Sequence, residues 1–365
     1  MQVSEKITGT QLGLLMFTSV VSTIILSVPG TMVALAKQNA WLSVFPAMLT
    51  GVLSIWLMTT LADRYPGLTI VQYSSKIVGK WPGKLLGLYY TYYLFFYNSV
   101  NLQQHAQFMN TVLMPTTPPL IIILGLALLS SLAVFTGIEV IGRCNELLTP
   151  LIIIFLIPLF IIAIGDSDPG QLKPVLNEGV LPIFQGAVVP SGWMNQFFFL
   201  GWLLPYLNQP QKARKISLIM LLSIAALILV IDLLTIMVFG SIAGNMSFPF
   251  LRVIQYIGIS GSFERLESLA VALWVIGIFI KGSVLLFMFC LTISQLFGIS
   301  NSREIISPVT VLSVVGSIWI FKSSAEFQDW MKFTFPIMAF FTHNLVPLAL
   351  LSVDIVKSKF SRSLL

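Results

Sequence analysis

Long apolar runs, separated by short polar segments, fill almost the whole chain. We place ten of them, at residues 11–36, 41–62, 83–114, 119–138, 147–165, 183–207, 216–240, 266–297, 305–321 and 333–355. Most reach the roughly 20 residues that a helix needs to cross the hydrocarbon of a bilayer. The pattern therefore predicts an all-α integral membrane protein with ten transmembrane helices, forming a single transmembrane domain over residues 1–365.

Two of these apolar runs contain helix-breaking residues in corresponding places. The first is interrupted at Ser27-Val28-Pro29-Gly30 and the sixth at Pro190-Ser191-Gly192. Hydrocarbon cannot satisfy the backbone groups of an unwound helix, so such a break persists only where protein or a polar cavity surrounds it. A matched pair of broken helices is a pointer to a transporter-type binding site. Two proline kinks that only shape packing are the alternative.

Ten helices divide into two sets of five. Because five is an odd number, the second set starts on the opposite side of the membrane from the first. We therefore predict a 5+5 inverted repeat, with the first repeat at about 11–165 and the second at about 183–355. Each repeat opens with its broken helix, so helices 1 and 6 are the broken ones. This layout is typical of the amino acid–polyamine–organocation transporters.

Composition and charge support the membrane assignment and exclude several function classes. Of 365 residues, 56% are hydrophobic and 9% are charged, whereas soluble domains have about 25% charged residues. Most of the 20 lysines and arginines fall on the side of the N-terminus, which places both termini inside. Because the net charge of +6 lies in short loops, it does not indicate nucleic-acid binding. We find no enzyme motif, and we expect no cofactor and no metal site.

The broken segments supply the first candidate ligand-binding residues. Unwound backbone offers N–H groups to an anion and carbonyls to a cation, and the ends of half-helices add partial charges of the matching sign. An amino acid zwitterion carries both charges, so it suits this geometry. We expect two facing walls, made of Val28, Pro29, Gly30 and Thr31 on one side and of Ser191, Gly192 and Trp193 on the other.

Polar side chains on the third and eighth spans are further candidates. Tyr97, Asn101 and His105 share one helical face at spacings of four, either as a cavity wall or as interhelical hydrogen bonds. Lys281 lies near the middle of span eight, where an ammonium is costly and marks a functional site or a paired charge. It could act as a fixed charge or exchange protons, or it could form a structural ion pair with Asp232. Lys281, Asp232 and His105 are the candidates for proton or ion coupling.

Three stretches of the sequence resemble one known family. They are NAWLSVFPAMLTGVLSIWLMTTLADRYPGLTIVQYSSKIVGKWPGKLLGLYY (39–90), LLPYLNQPQKARK (203–215) and FPFLRVIQYIGISGSFERLESLAVALWVIGIFIK (248–281). Together they resemble the spore germination permeases, the B subunits of Ger-type nutrient germinant receptors. The resemblance covers essentially the whole chain.

The resemblance implies a fold, a location and partners. It implies a member of the amino acid–polyamine–organocation superfamily in the inner membrane of the spore, working with a membrane-bound A subunit and a lipoprotein C subunit. The B subunit is expected to bind a small nutrient, commonly an L-amino acid such as alanine. The ligand region would comprise the first break, Tyr97, Asn101, Gly192 and the helix from Lys281 onward. Related transporters carry Gly-x-Gly in the first break, whereas SVPGT here has one glycine, so the nutrient stays open.

The leading hypothesis is therefore a nutrient-binding receptor subunit that triggers spore germination together with partner subunits. An active amino acid:proton symporter is the first alternative, with Lys281, Asp232 or His105 carrying the proton. A water or ion pore along the polar face of span three is the second alternative.

Overall fold

The computed structural model describes residues 5–260 and 266–363, and these residues are 88% helical. Within them, an isolated bridge pairs Ile7 with Leu207 outside any strand. The α-helices are α1 (Gly9–Ala36), α2 (Val44–Arg64), α3 (Ile70–Val78), α4 (Lys80–Val112), α5 (Pro119–Thr136), α6 (Ile138–Gly165), α7 (Leu181–Met194), α8 (Leu200–Leu203), α9 (Ala213–Phe239), α10 (Pro249–Ser260), α11 (Leu266–Phe297), α12 (Ile306–Trp319), α13 (Ser324–Asp329), α14 (Phe335–Phe340) and α15 (Val346–Ser363).

Shorter helical segments connect several of these helices. Most are 3₁₀ turns, and two are π-helical segments in the last helical region. The 3₁₀ turns are Lys37–Ser43, Pro169–Leu172, Asn195–Phe199, Leu204–Tyr206, Pro210–Lys212, Gly240–Asn245 and Ser302–Ile305, and the π-helical segments are Trp330–Thr334 and Phe341–Leu345.

The structure supports a multi-pass membrane protein. Seven helical segments of the described chain are long and apolar enough to cross a bilayer. Every one of the ten predicted spans overlaps at least one helix. The count of ten transmembrane helices and the inverted repeat nevertheless stay predictions. Seven segments of the described chain, not ten, have the length and apolar composition needed to cross a bilayer.

The predicted break in the first helix is not observed. α1 runs without interruption from Gly9 to Ala36, with Pro29 inside it. A proline removes one backbone donor, but a buried membrane helix tolerates this where nearby hydroxyl groups satisfy carbonyls. The carbonyl that Pro29 leaves without its amide donor is that of Ile25, four residues earlier, and the Thr31 hydroxyl makes a separate bond to the carbonyl of Val28 at 2.8 Å. The sequence signal therefore marks a proline-containing continuous helix.

The second interruption exists but lies later than predicted. α7 passes through Pro190 and Gly192 and ends at Met194. The chain then changes to a 3₁₀ turn at Asn195–Phe199 before α8 begins. Side-chain hydroxyls satisfy carbonyls on both sides of the change, since Thr50 donates to the Ser191 carbonyl at 3.1 Å and Ser54 to the Asn195 carbonyl at 3.0 Å.

α6 begins nine residues before the predicted fifth span, in a stretch with three charged residues. Gly137, at φ +99°, turns the chain, and the carboxylate of Glu5 accepts the N–H of Ile138 at 2.8 Å. An acceptor at this position satisfies a free N–H group of the first helical turn. Arg143 and Glu139 then pair at 2.5 Å across one turn. The helix therefore includes residues whose polarity suggested a loop.

A carboxylate joins the end of α2 to the middle of α15. Asp354 accepts from Arg64 at 2.6 Å and from the hydroxyl of Tyr65. Burial, together with Asp354, raises the pKa of Tyr65 to about 12. The phenol therefore remains a donor at neutral pH. This clamp fixes the last helix against the end of the second.

α1 is the central helix, packed against α6, α7, α9 and α11. Close approaches between helices rely on glycine. A β-carbon on Gly51 of α2 would lie 2.7 Å from the carbonyl of Met194 and 2.8 Å from Leu221. A β-carbon on the exposed Gly125 of α5 would meet nothing within 4 Å. The two glycines therefore differ in packing although both lie inside helices.

These glycines give a matched test of the packing. We expect Gly51→Ala to lower the free energy of unfolding by about 1–3 kcal/mol, because overpacking forces the α2–α7 contact apart. Gly125→Ala should leave stability unchanged or raise it by up to about 1 kcal/mol, because alanine is the better helix former. Thermal unfolding of the purified protein in detergent compares the two, and equal melting temperatures would contradict the packing described here.

Candidate functional site

The ammonium of Lys281 lies at a meeting point of four chain segments. Lys281, on α11, is 2% exposed. Its Nζ donates to Thr23 Oγ1 of α1 at 2.6 Å and to Gln196 Oε1 at 3.3 Å. It also stands 5.4 Å from the centroid of the Tyr97 ring on α4. Thr23 Oγ1 accepts a second hydrogen bond, from Trp193 Nε1 at 3.0 Å.

Aromatic rings enclose this centre on one side. Phe335 of α14 packs edge-on against Trp193, with ring centroids 4.7 Å apart. It also stacks on Tyr97 at 5.9 Å. We call Thr23, Tyr97, Trp193, Gln196, Lys281 and Phe335 together the Lys281 cluster.

Two glycines make the cluster possible. Gly192 faces Phe335, because a β-carbon there would lie 2.8 Å from the ring. Gly277, one turn before Lys281 on α11, lets that helix approach α1, because its β-carbon would lie 2.9 Å from Ser22 Cβ. Lys281 is thereby brought within reach of Thr23.

The ion pair between Lys281 and Asp232, which was the structural alternative for Lys281, is not observed. Asp232 of α9 is fully buried, and neither of its carboxylate oxygens has a hydrogen-bond partner among the described residues. The donors of Lys281 go to Thr23 and Gln196 instead. The structure therefore gives Lys281 neutral acceptors in place of a counter-ion. Asp232 stays a predicted coupling residue, with no contact that assigns its role.

The polar residues along one face of α4, which are Tyr97, Asn101 and His105, do not all join the Lys281 cluster. Tyr97 belongs to the Lys281 cluster. Both amide atoms of Asn101 and Nδ1 of His105 lack a hydrogen-bond partner in residues 5–260 and 266–363. Asn101 lies instead near Gly282, since Asn101 Nδ2 and Ser130 Oγ would be 3.3 and 3.1 Å from a β-carbon on that glycine. Asn101 therefore forms no hydrogen bond that joins helices.

The predicted walls of the ligand site are also separated. Val28 and Pro29 are buried within α1, whereas Gly30 and Thr31 border a cavity of about 320 Å³ that Val189 and Lys332 also line. The Ser191 hydroxyl donates to the carbonyl of Val188 at 2.6 Å. Of the ten predicted ligand-binding residues, Tyr97, Trp193 and Lys281 come together, and Gly192 adjoins them through Phe335.

Cavities open at both ends of the helices. One of about 490 Å³ lies where α1 begins and is bordered by Glu5, Tyr206 and Arg303. The cavity beside Gly30 lies where α1 ends. Trp193 follows Val189 by one helical turn and Phe335 follows Lys332 by three residues, so the aromatic side of the Lys281 cluster lies just beyond this second cavity.

A second buried network was missed at the sequence level. The Tyr93 hydroxyl contacts His343 Nε2 at 2.6 Å, and His343 Nδ1 contacts Asn195 Oδ1 at 2.7 Å. Asn195 Nδ2 donates to Asn344 Oδ1 at 3.2 Å, and Asn344 Nδ2 donates to Ser54 Oγ at 3.1 Å. The sequence assigned no role to any of these five side chains.

This network holds the change of helix type at Asn195 against a π-helical segment. His343 and Asn344 lie in the π-helix Phe341–Leu345, and π-helical turns are frequent at functional sites. The sequence signal for the network was the adjacent His343-Asn344 pair inside an apolar span, because polar side chains at membrane depth are retained for a structural or functional reason. Thr23 and Gln196 were missed because each is a single polar residue in an apolar run, and no spacing in the sequence links either of them to Lys281.

Comparison with known proteins agrees with this architecture. A family model described as "Spore germination protein" matches residues 6–325. Among curated relatives, spore germination protein YndE of Bacillus subtilis (strain 168) is 23% identical over 300 residues, which cover 80% of this chain and 82% of the relative. Spore germination protein KB of the same organism is 27% identical over 354 residues, covering 92% of this chain and 91% of the relative.

Two solved structures share the fold. MhsT in complex with L-phenylalanine superimposes with a TM-score of 0.71 at 14% identity, covering 97% of this chain and 99% of MhsT. MHP1, a nucleobase-cation-symport-1 family transporter in a closed conformation with bromovinylhydantoin bound, gives 0.66 at 11% identity, covering 93% of this chain and 76% of MHP1. At these identities the likeness establishes the fold alone.

The hydrogen-bond network around His343 generates a test. Tyr93→Phe removes one hydroxyl and leaves the buried His343 ring nitrogen unpaired, so we expect a loss of about 1–3 kcal/mol in unfolding free energy. Tyr92→Phe is the matched control, because Tyr92 is 60% exposed on the same helix and should change stability by less than about 0.5 kcal/mol. Thermal unfolding distinguishes the two, and equally stable variants would show that the network contributes nothing.

Proposed function

The chain belongs to the spore germination permease family, and on this basis we propose that it is the nutrient-binding, permease-like subunit of a spore germinant receptor. It senses a small nutrient, with an L-amino acid as the first candidate, and triggers germination together with a membrane-bound A subunit and a lipoprotein C subunit. It acts in the inner membrane of the spore with both termini inside. Family membership and the transporter-like fold support the role. The nutrient, the partners and the location belong to the proposal.

One observation carries the assignment of the site. The Lys281 cluster gathers hydrogen-bonding groups from α1, the 3₁₀ turn after α7 and α11, with aromatic rings from α4, α7 and α14 around them. Ligand sites combine a few placed polar groups with aromatic walls. A ligand that contacts these segments can affect the conformation of all of them.

Sensing requires that the ligand bind two conformations with different affinity. The change of helix type at Asn195 adjoins Gln196, which is a member of the Lys281 cluster, and the network around His343 ties the same turn to α2, α4 and the last helix. A change at Gln196 would therefore reach the network directly. This supports a receptor in which binding energy shifts a conformational equilibrium.

An active amino acid:proton symporter is the second candidate. It is favoured by the likeness to transporters and by Asp232, whose buried carboxylate has no partner within the described residues. The pore alternative receives less support, because Tyr97 packs between Phe199 and Phe335 and closes the stripe on α4.

Ligand binding and uptake, measured side by side, test the proposal. We expect purified protein to bind radiolabelled L-alanine, or another L-amino acid of a panel, in a saturable manner. Gly192→Leu should weaken binding by at least about tenfold, because its side chain displaces Phe335, and overpacking of about 1–3 kcal/mol is typical. Gly125→Leu, at an open position on α5, is the control and should bind as the parent does.

Two outcomes would contradict the proposal in different ways. Concentrative uptake into vesicles under a proton gradient, lost in Asp232→Asn, would make the protein a symporter. Binding that Gly192→Leu leaves unchanged would move the ligand site away from the Lys281 cluster.

A further inference from the structure

The ammonium of Lys281 is held by three neighbouring groups. An ammonium carries three N–H donors and no acceptor. Two are directed to Thr23 Oγ1 and Gln196 Oε1, and the charge faces the ring of Tyr97 at 5.4 Å. A hydroxyl, an amide carbonyl and an aromatic face together are groups that recognise an alkylammonium ion. Lys281 is therefore surrounded by the groups that would bind a primary alkylammonium ion.

The groups that hold the ammonium of Lys281 include no anion. None of the ion pairs found in the described part of the chain involves Lys281. Ion-pairing with a carboxylate is the usual way to bury a lysine. Neutral acceptors in its place mean that any other primary ammonium of suitable size could make the same contacts without leaving a carboxylate unpaired.

We propose that Lys281 is a tethered occupant of an ammonium site, and that a nutrient bearing a primary ammonium group binds by taking its place. The inference rests on the proposed function for the identity of the site, and it adds the ligand class and the means of regulation. With its ammonium held by Thr23, Gln196 and the Tyr97 ring, Lys281 in this conformation is not free to bind the carboxylate of a nutrient.

The structure also offers a place for the displaced ammonium. Gly282 directly follows Lys281, and beside it lie Asn101 and Ser130, which are 2% and 3% exposed. The Asn101 Oδ1 and Ser130 Oγ atoms have no hydrogen-bond partner within the described residues. A rotation of the lysine side chain toward α5 would supply a cation to these acceptors. Buried polar groups without partners call for such an account.

A tethered occupant sets a threshold for the free ligand. The side chain competes intramolecularly at a high effective concentration. The apparent affinity for a nutrient equals the affinity of the vacant site multiplied by the fraction of molecules in which the site is vacant. Removing a tethered occupant should therefore strengthen nutrient binding, whereas removing a side chain that anchors the nutrient would weaken it.

Chemical rescue tests the inference without knowledge of the nutrient. Lys281→Ala empties the site, and we expect n-butylammonium to raise the melting temperature of this variant in proportion to the logarithm of its concentration. The parent should respond only at about tenfold higher concentration, because Lys281 competes for the site, and the double variant Lys281→Ala/Thr23→Val should not respond. n-Butanol is the matched probe that tests whether the alkyl chain alone stabilises the variant, and butyrate is the matched probe that tests the sign of the charge. Should Lys281→Ala fail to fold, Lys281→Gln is measured in the same way.

The outcomes separate this inference from the proposed function. Rescue by n-butylammonium alone, with L-amino acid binding about tenfold tighter than in the parent, is the expected result. Lack of rescue, or an equal response to n-butanol, would overturn the tethered-occupant inference. If Lys281→Ala also lost amino acid binding, Lys281 would be an anchor and the receptor proposal would stand. Rescue in a protein that binds no amino acid would instead retain the ammonium site and contradict the proposed nutrient.

Discussion

The hydroxyl of Thr23 is the contact on which the centre of this bundle depends. It accepts hydrogen bonds from the ammonium of Lys281 and from the indole of Trp193, and so ties α1 to α11 and α7. In an apolar interior each of these donors would be costly if unpaired. The glycines at 192 and 277 serve the same contact, since they allow Phe335 and α1 to approach. Packing and polar pairing here constrain one another.

The same requirement explains the second network and the irregular helices around it. Where α7 gives way to a 3₁₀ turn, Ser54 satisfies the carbonyl of Asn195, and His343 and Asn344 satisfy its side chain. Irregular backbone at membrane depth persists only with such partners. The turn also carries Gln196 into the Lys281 cluster. Local helix irregularity therefore connects the candidate ligand site to the π-helical segment Phe341–Leu345, and the receptor proposal relies on this connection.

The chain belongs to the spore germination permease family, and it shares its fold with a solved transporter structure. The fold provides a polar centre between helices, and a role of Asp232 in coupling stays a prediction. In the proposed receptor the acceptors at this centre are neutral and Lys281 occupies them, so no cotransported ion is needed to fill them. This is the sense in which a permease scaffold can act as a sensor.

The sequence by itself determined the membrane class, the approximate helices and the family, because hydrophobic length and sequence motifs are local signals. It also named Lys281, Trp193 and Tyr97, which the structure brings together. It predicted a break in the first helix that the structure does not have, and it placed the second break too early. Proline and glycine show where a helix can bend, whereas the surrounding side chains decide where it does. Only the tertiary structure showed that Lys281 pairs with Thr23 and Gln196 and not with Asp232, and that Gly30 and Asn101 lie outside the cluster. Partners of a buried polar group are chosen by helix packing over long sequence separations, and no local pattern records that choice.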